Sequence, residues 1–152
     1  MKQENKDLLI KDLCARLPNG VKIALKNSEA YHHENVAKKG DVTIDKLKGF
    51  NGSYFSIYHD NPLDWDWYVN DVNVEDIKPY LFPLSSMTDK QKEELNNMFN
   101  QEDDICEKIK TDNFEFSFYR KSIFDFLNKY HFDWRGLIPM GLANDATGKN
   151  IY

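Results

Sequence analysis

Residues 9–25 read LIKDLCARLPNGVKIAL, and within them the apolar spacing changes from that of a helix to that of a strand. Leu9, Leu13 and Leu17 recur every four residues, which predicts a helix with one buried stripe. The PNG sequence at 18–20 then ends the helix, because proline cannot continue it and glycine accepts a positive φ. After it the apolar residues alternate, as in a strand with one buried face. This switch predicts an α+β fold that begins with a helix.

Extended runs continue along the chain to residue 84. Alternating patterns at 42–44, 54–59 and 64–72 predict further strands, and 74–84 predicts a shorter one. Pro79 and Pro83 are expected to end regular pairing there, because proline lacks the N–H that a ladder needs. So many short strands predict a small, strongly bent antiparallel sheet of the SH3-like barrel type.

The second half of the chain predicts helices. Thr88 and Gln91 have the spacing of a capping box, so a helix is expected within 85–99. Residues 119–131 have helical spacing, whereas 113–119 leave strand and helix both open. The expected organisation is a single domain over 1–152, with 21–84 mainly strands and with 1–20 and 86–152 mainly helical. The aromatic segment 129–143 is predicted to cap the core.

Composition restricts the function classes. The chain has 152 residues, a net charge of −5 and a pI near 5.4, which argues against broad contact with a nucleic-acid backbone. Residues 20–50 carry six lysines against four acids, which leaves a local basic face open, with a solvated lysine-rich loop as the favoured explanation. The opening residues have no apolar core of a signal peptide, and no apolar run approaches a membrane span. A cytoplasmic protein without a membrane segment is therefore expected.

Three segments share a family resemblance: DLLIKDLCARLPNGVK at 7–22, IKPYLFPLSSMT at 77–88 and HFDWRGLIPMGLA at 131–143. They resemble an uncharacterised family of small proteins from gut bacterial genomes, their phages and other mobile elements. The resemblance implies a mobile-element setting and a small strand-rich core between helices, with no named catalytic residues. Tyr130 stands where a second histidine often precedes His131 in the family, which weakens a histidine pair as metal ligands.

His131, Asp133 and Arg135 are the candidate catalytic residues. In an extended segment they alternate onto one face, where histidine could act as a general base and arginine could stabilise an anion. The alternative is structural: Asp133 and Arg135 form a hydrogen-bonded pair while the apolar residues around them plug the core. We favour the structural interpretation and keep a hydrolase as an alternative function.

Metal and thiol chemistry have weak support. His32, His33 and Glu34 lack a metal-ligand spacing, and the acids at 60–66 lack that of a calcium loop, so no metal site or cofactor is predicted. Cys14 and Cys106 form neither a disulfide framework nor a zinc knuckle. Lys11 and Arg16, near Cys14, are interpreted as ordinary charges on the helix surface, so nothing predicts a reactive thiolate.

Aromatic residues on the predicted sheet are the main candidates for binding. They are Tyr54, Tyr58, Trp65, Trp67 and Tyr68. Aspartates flank the two tryptophans, which suits a protein partner better than nucleic acid. A non-catalytic binding or accessory protein with a protein–protein interface is therefore the favoured function.

A second function class is a binder of a small nucleotide-like ligand, such as a sequestered defence signal. It needs aromatic rings for stacking and a few cations close to them. The cations assigned to it are Lys22, Lys46, Arg120 and Arg135.

Overall fold

A computed structural model describes residues 1–26, 42–59, 67–98 and 120–152, excluding the side chains at 42, 59, 67–70 and 120. In these ranges the chain forms helices and strands in the following order: α1 (Gln3–Arg16), β1 (Lys22–Lys26), β2 (Val42–Phe50), β3 (Phe55–His59), β4 (Trp67–Val72), β5 (Ile77–Leu81), α2 (Asp89–Asn97), α3 (Arg120–Lys129) and β6 (Asn144–Asp145). The α+β class predicted from the sequence is confirmed. Residues 27–41, 60–66 and 99–119 lie outside the description, and with them the segment 113–119 whose structure was left open.

The strands form one open sheet in the order β4-β3-β2-β1-β5-β6. Neighbours from β4 to β5 pair antiparallel, whereas β6 runs parallel to β5. The sheet is therefore mixed, and the prediction of a wholly antiparallel sheet is wrong at β6. Among the described strands the sheet does not close, so the SH3-like barrel is not confirmed.

The helix-to-strand switch lies where the sequence predicts it. Leu9 and Leu13 of α1 are fully buried, as expected of the apolar stripe. Gly20 has a φ of +66°, which L side chains rarely adopt, and this turn leads into β1. A Cβ at Gly20 would lie 2.6 Å from Cε of Lys46, so the glycine also leaves room for that lysine.

Pro79 lies opposite Ile23 in the last pair of the antiparallel β1–β5 register, so regular pairing with β1 ends there as predicted. The strand itself continues to Leu81 and pairs with β6 at its end. In an antiparallel ladder, every second residue pair exchanges no backbone hydrogen bonds. Proline, which lacks an N–H, is tolerated in such a pair.

The main core lies between α1 and one face of the sheet, which we call the inner face. Its buried residues come from α1, from β1 to β5 and from a late segment: Leu9, Leu13, Val21, Ile23, Leu25, Leu47, Phe55, Ile57, Val72, Val74, Ile77, Leu81, Leu137, Leu142 and Ala143. On the opposite, outer face, Ala24 and Tyr80 pack against Ala146, with Ile151 beside them. The last residues therefore cover the β1–β5 end of the outer face.

A second apolar cluster forms around α2, α3 and the aromatic segment. It contains Met87, Leu95, Ile123, Phe126, Leu127 and Phe132, with further aromatic rings around them. The capping box at Thr88 and Gln91 is present as predicted. Leu95 is fully buried, whereas Met98, whose spacing predicts burial in the same stripe, is 41% exposed. No helix within the described ranges has the length and apolar character needed to cross a membrane.

Candidate functional site

Helix α3 ends in a Schellman motif, and His131 occupies its left-handed position. The His131 N–H donates to the Asn128 carbonyl at 3.2 Å, and the Phe132 N–H donates to the Leu127 carbonyl at 2.8 Å. Glycine is usual here because the backbone is left-handed, yet His131 has a φ of +57°. This turn breaks the extended geometry that would place His131, Asp133 and Arg135 on one face.

Asp133 holds the turn that follows. One of its carboxylate oxygens accepts the Leu137 N–H at 2.8 Å, and the other accepts the Ile138 N–H at 2.7 Å. Its own N–H donates to the Phe82 carbonyl, which links the segment to the residue after β5. Both oxygens therefore satisfy backbone donors, and the expected pair between Asp133 and Arg135 is wrong.

Arg135 instead joins a buried charge network on α1. Its Nε donates to the Asp12 carboxylate at 3.1 Å, and that carboxylate also accepts from Arg16 at 2.7 and 3.0 Å. Arg16 donates further to the Phe132 carbonyl at 2.9 Å. Arg16 and Asp12 are both fully buried, so the interpretation of Arg16 as a surface charge is wrong. The network ties α1 to the aromatic segment.

Trp134 packs beside Arg135 and against α3. Its ring stacks on Phe124 with centroids 4.2 Å apart, and the Arg135 guanidinium lies 3.8 Å from the Trp134 centroid. The indole N–H donates to Asn128 at 3.0 Å. The Trp134 indole N–H and Arg135 Nε both have structural partners, which is the role expected of an aromatic cap.

The His131 ring lies flat against Tyr152, with centroids 4.1 Å apart and an interplanar angle of 13°. Burial, together with the positive charge of Arg16, lowers the pKa of His131 to about 4. The imidazole is therefore neutral at pH 7. Its Nδ1 is buried without a hydrogen-bond partner, and so is Nη1 of Arg16. The candidate catalytic residues thus have separate environments and share no hydrogen bond.

Tyr152 is attached to the sheet by its hydroxyl group. The hydroxyl donates to the Tyr80 carbonyl at 2.7 Å and accepts the Lys22 N–H at 3.2 Å. Residues 22 and 80 would form the next pair beyond Ile23 and Pro79, where the β1–β5 register ends. The hydroxyl therefore bridges two backbone groups at the end of this ladder, and its burial raises the pKa of Tyr152.

Lysines dominate the outer face of the sheet. Lys22 lies directly opposite Lys46, which lies opposite Tyr58 on the next strand. Direct cross-strand partners point to the same side of a sheet, so these residues form a row across β1, β2 and β3. The full set of outer-face lysines on the described strands is Lys22, Lys26, Lys46, Lys48 and Lys78. We call this set, with Ile44 and Tyr58, the lysine face.

The described strands β1, β2, β3 and β5 give the lysine face basic side chains and no acidic ones. In β1, β2, β3 and β5 the sole carboxylate is Asp45, which lies opposite the buried Ile23 and is itself buried. Ile44 lies two residues before Lys46 on β2, directly opposite Ala24, and is 48% exposed. The Lys48 ammonium lies 4.8 Å from the centroid of the Tyr58 ring. The lysines at 22, 26, 46 and 48 therefore lie on strands and not in the predicted solvated loop.

The predicted binding residues are brought together only in part. Lys22, Lys46 and Tyr58 share the lysine face, and Tyr54 is 40% exposed at the turn before β3. Arg135 lies in the buried charge network and is separate from this row. Trp65 lies outside the described residues, and so do the side chains of Trp67, Tyr68 and Arg120. The backbone of Tyr68 pairs with Tyr58.

Other candidate chemistry adds no site in the described part of the chain. Burial raises the pKa of the Cys14 thiol, which favours the unreactive protonated form. No three histidine, cysteine or acidic residues come together there as metal ligands. Cys106, the histidines at 32–33, Glu34 and the acids at 60–66 lie outside the description.

Comparison with known proteins gives no guide to function, so the proposal below is based on the lysine face. No family model matches the chain, and neither the curated proteins nor the solved structures contain a match. The sequence analysis assigned two of its lysines, Lys22 and Lys46, to binding but did not predict that they lie directly opposite each other. That signal depends on strand register, which single-residue patterns do not specify.

Proposed function

We propose that the protein is a non-catalytic binding protein whose lysine face contacts an acidic surface of a partner protein. The observation that carries the proposal is the direct opposition of Lys22 and Lys46 on a face where the described strands β1, β2, β3 and β5 place no carboxylate. Like charges directly opposite each other destabilise a sheet. A partner that supplies negative charge removes this repulsion, so the arrangement favours binding.

The chemistry of the face favours a protein over a nucleic acid. Ile44 exposes nearly half of its surface among the lysines, and an apolar centre with a charged rim is the usual anatomy of a protein interface. The whole chain carries a net charge of −5, which opposes the approach of a long phosphate backbone. An acidic protein patch is smaller and needs only local attraction within about 10 Å at moderate salt.

Binding is tested by NMR titration of the ¹⁵N-labelled protein with two probes of equal charge. One probe is an acidic Asp/Glu peptide with a central leucine pair, and the other is a single-stranded oligothymidylate. We expect the peptide to shift the amides of β1, β2 and β3 and to bind more tightly than the oligonucleotide. Salt should weaken the peptide complex, because the contacts are between exposed charges.

Charge reversal identifies the surface. Lys46→Glu should weaken peptide binding about tenfold or more, since it replaces an attraction by a repulsion. Lys90→Glu is the matched control, because Lys90 is an exposed lysine on α2, away from the sheet. Equal losses in the two variants, shifts confined to other surfaces or tighter binding of the oligothymidylate would each overturn the proposal.

A further inference from the structure

A separate cleft of about 420 Å³ lies between the end of β5, the start of α2 and the end of α3. Aromatic side chains form much of its wall, namely Phe82, Tyr130, Phe132 and Tyr152. Clefts that hold small organic ligands have volumes of about 300–1,000 Å³ and are mostly apolar with a few placed polar groups. None of the outer-face lysines lines it, so it is distinct from the lysine face.

His131 reaches this cleft from the strained end of α3. A left-handed backbone disfavours every residue with a Cβ, and glycine would fit the Schellman motif more easily. The chain instead has a histidine there, with its ring fixed on Tyr152 and all but 7% of the residue buried. Because Nδ1 is enclosed, the ring edge that carries Nε2 is the one left to face the cleft.

The neighbourhood of Arg16 determines which nitrogen of His131 carries the proton. Arg16 is fully buried, its charge acts on His131, and its Nη1 donor has no partner. A proton on the enclosed Nδ1 would have no acceptor and would face the positive field of Arg16, so the lone pair belongs on Nδ1. The neutral ring then holds its proton on Nε2, which makes His131 a hydrogen-bond donor toward the cleft.

A single cation accompanies this donor. Lys129 lines the cleft, and its ammonium lies 4.9 Å from the centroid of the Tyr130 ring at the same wall. The lining residues include no aspartate or glutamate. The Tyr130 hydroxyl points to Glu94, outside the lining, and donates to it at 3.0 Å. Aromatic walls, one donor and one lining cation match a ligand that has a flat ring and one negative group.

We infer that this cleft binds a planar aromatic carboxylate, with the ring against Tyr130 and Phe132 and the carboxylate between His131 Nε2–H and the Lys129 ammonium. A carboxylate accepts hydrogen bonds from both groups, and bonds to an ionised acceptor are stronger than neutral ones. The inference does not depend on the lysine face and adds a small-molecule site to the protein.

The probe is 2-naphthoate, and its two comparison compounds are 2-naphthylmethanol, which lacks the charge, and cyclohexanecarboxylate, which lacks the aromatic ring. Binding is followed by NMR through the His131 Cε1–H and Tyr152 ring signals. We expect saturable shifts with 2-naphthoate and a Kd about tenfold higher for each comparison compound, as expected when one charged hydrogen bond or one ring contact is lost.

Two variants assign the contacts. Lys129→Gln and His131→Asn should each raise the Kd for 2-naphthoate about fivefold or more, because each removes one partner of the carboxylate. Asparagine tolerates the left-handed backbone, and Lys129 is an exposed residue, so both variants should keep the fold. Lys149→Gln is the matched control, because Lys149 lies over the Tyr80 ring and does not line the cleft.

Three results would overturn the inference. The first is the absence of saturable shifts up to about 10 mM 2-naphthoate, a concentration that reveals even very weak binding. The second is an unchanged Kd for 2-naphthoate in both contact variants. The third is a set of shifts centred on the lysine face. Failure of the acidic-peptide test would leave this cleft unaffected, so the two experiments fail independently.

Discussion

The Arg16 guanidinium and the Asp12 carboxylate form a two-point ion pair, with N–O distances of 2.7 and 3.0 Å and no solvent exposure of either residue. The pair lies one helical turn apart on α1 and faces the aromatic segment. Through Phe132 and Arg135 it connects the first helix to residues more than a hundred positions later. The stability of the fold should therefore depend on it.

Asp12→Asn should destabilise the protein by about 3–5 kcal/mol, because it leaves buried arginine charge without its counter-ion. The measurement is urea unfolding followed by far-UV circular dichroism. Asp89→Asn is the control, since Asp89 is exposed in the first turn of α2, where it pairs with Lys92, and its loss should cost less than about 1 kcal/mol. A similar midpoint for the two variants would show that the buried network is dispensable.

The backbone strain at His131 predicts an order of stability among substitutions. His131→Gly should be more stable than His131→Ala by about 1 kcal/mol, because glycine adopts the positive φ of +57° without a Cβ clash. Both variants lose the stacking on Tyr152, so their difference isolates the backbone. Thermal unfolding measures it, and alanine equal to or better than glycine would contradict the left-handed geometry.

The pH dependence follows from the same histidine. Its pKa is about 4 in the folded protein against 6.5 when unperturbed, so the unfolded chain takes up the proton first as the pH falls. Stability from this residue is complete above pH 6.5, declines below it and levels off below about 4, with a total loss of about 3 kcal/mol. His131→Asn should lack this component. Parallel stability curves of the two proteins between these pH values would refute the assignment.

The hydroxyl of Tyr152 provides a further test. Tyr152→Phe removes the bridge between the Lys22 N–H and the Tyr80 carbonyl and should destabilise the protein by about 1 kcal/mol. Hydrogen exchange of the Lys22 amide should also accelerate, because its acceptor is lost. Tyr54→Phe is the control, since Tyr54 is exposed in a turn and the change should leave the unfolding midpoint unchanged.

Interactions between near neighbours in the chain were predicted well. Thr88 and Gln91 are three residues apart, and their capping box depends only on the start of one helix.

The ion pair between Asp12 and Arg16 is equally local, but the sequence analysis did not predict it. They fall at helical spacing within the same stripe as Leu9 and Leu13, so their burial could have been inferred.

The shared face of His131, Asp133 and Arg135 was expected only for an extended segment, and the structure does not contain that geometry. Alternation of side chains onto one face requires an extended chain, but α3 ends in a left-handed turn at His131. Such a turn usually contains glycine, so the histidine gives no sequence signal for it. Asp133 and Arg135 then find partners in the backbone of the following turn and in α1. The spacing of these residues contains no information about either partner.

The sequence by itself determined the helix-to-strand switch near Gly20, the alternation of the strands and the cap of α2, because each depends on a few consecutive residues. The tertiary structure alone decided that Lys22 faces Lys46, that Tyr152 bridges β1 and β5, and that β6 joins the sheet in parallel. Strand register and long-range pairing depend on how the apolar faces of distant helices and strands are buried against one another. A pattern within a few consecutive residues therefore cannot specify them.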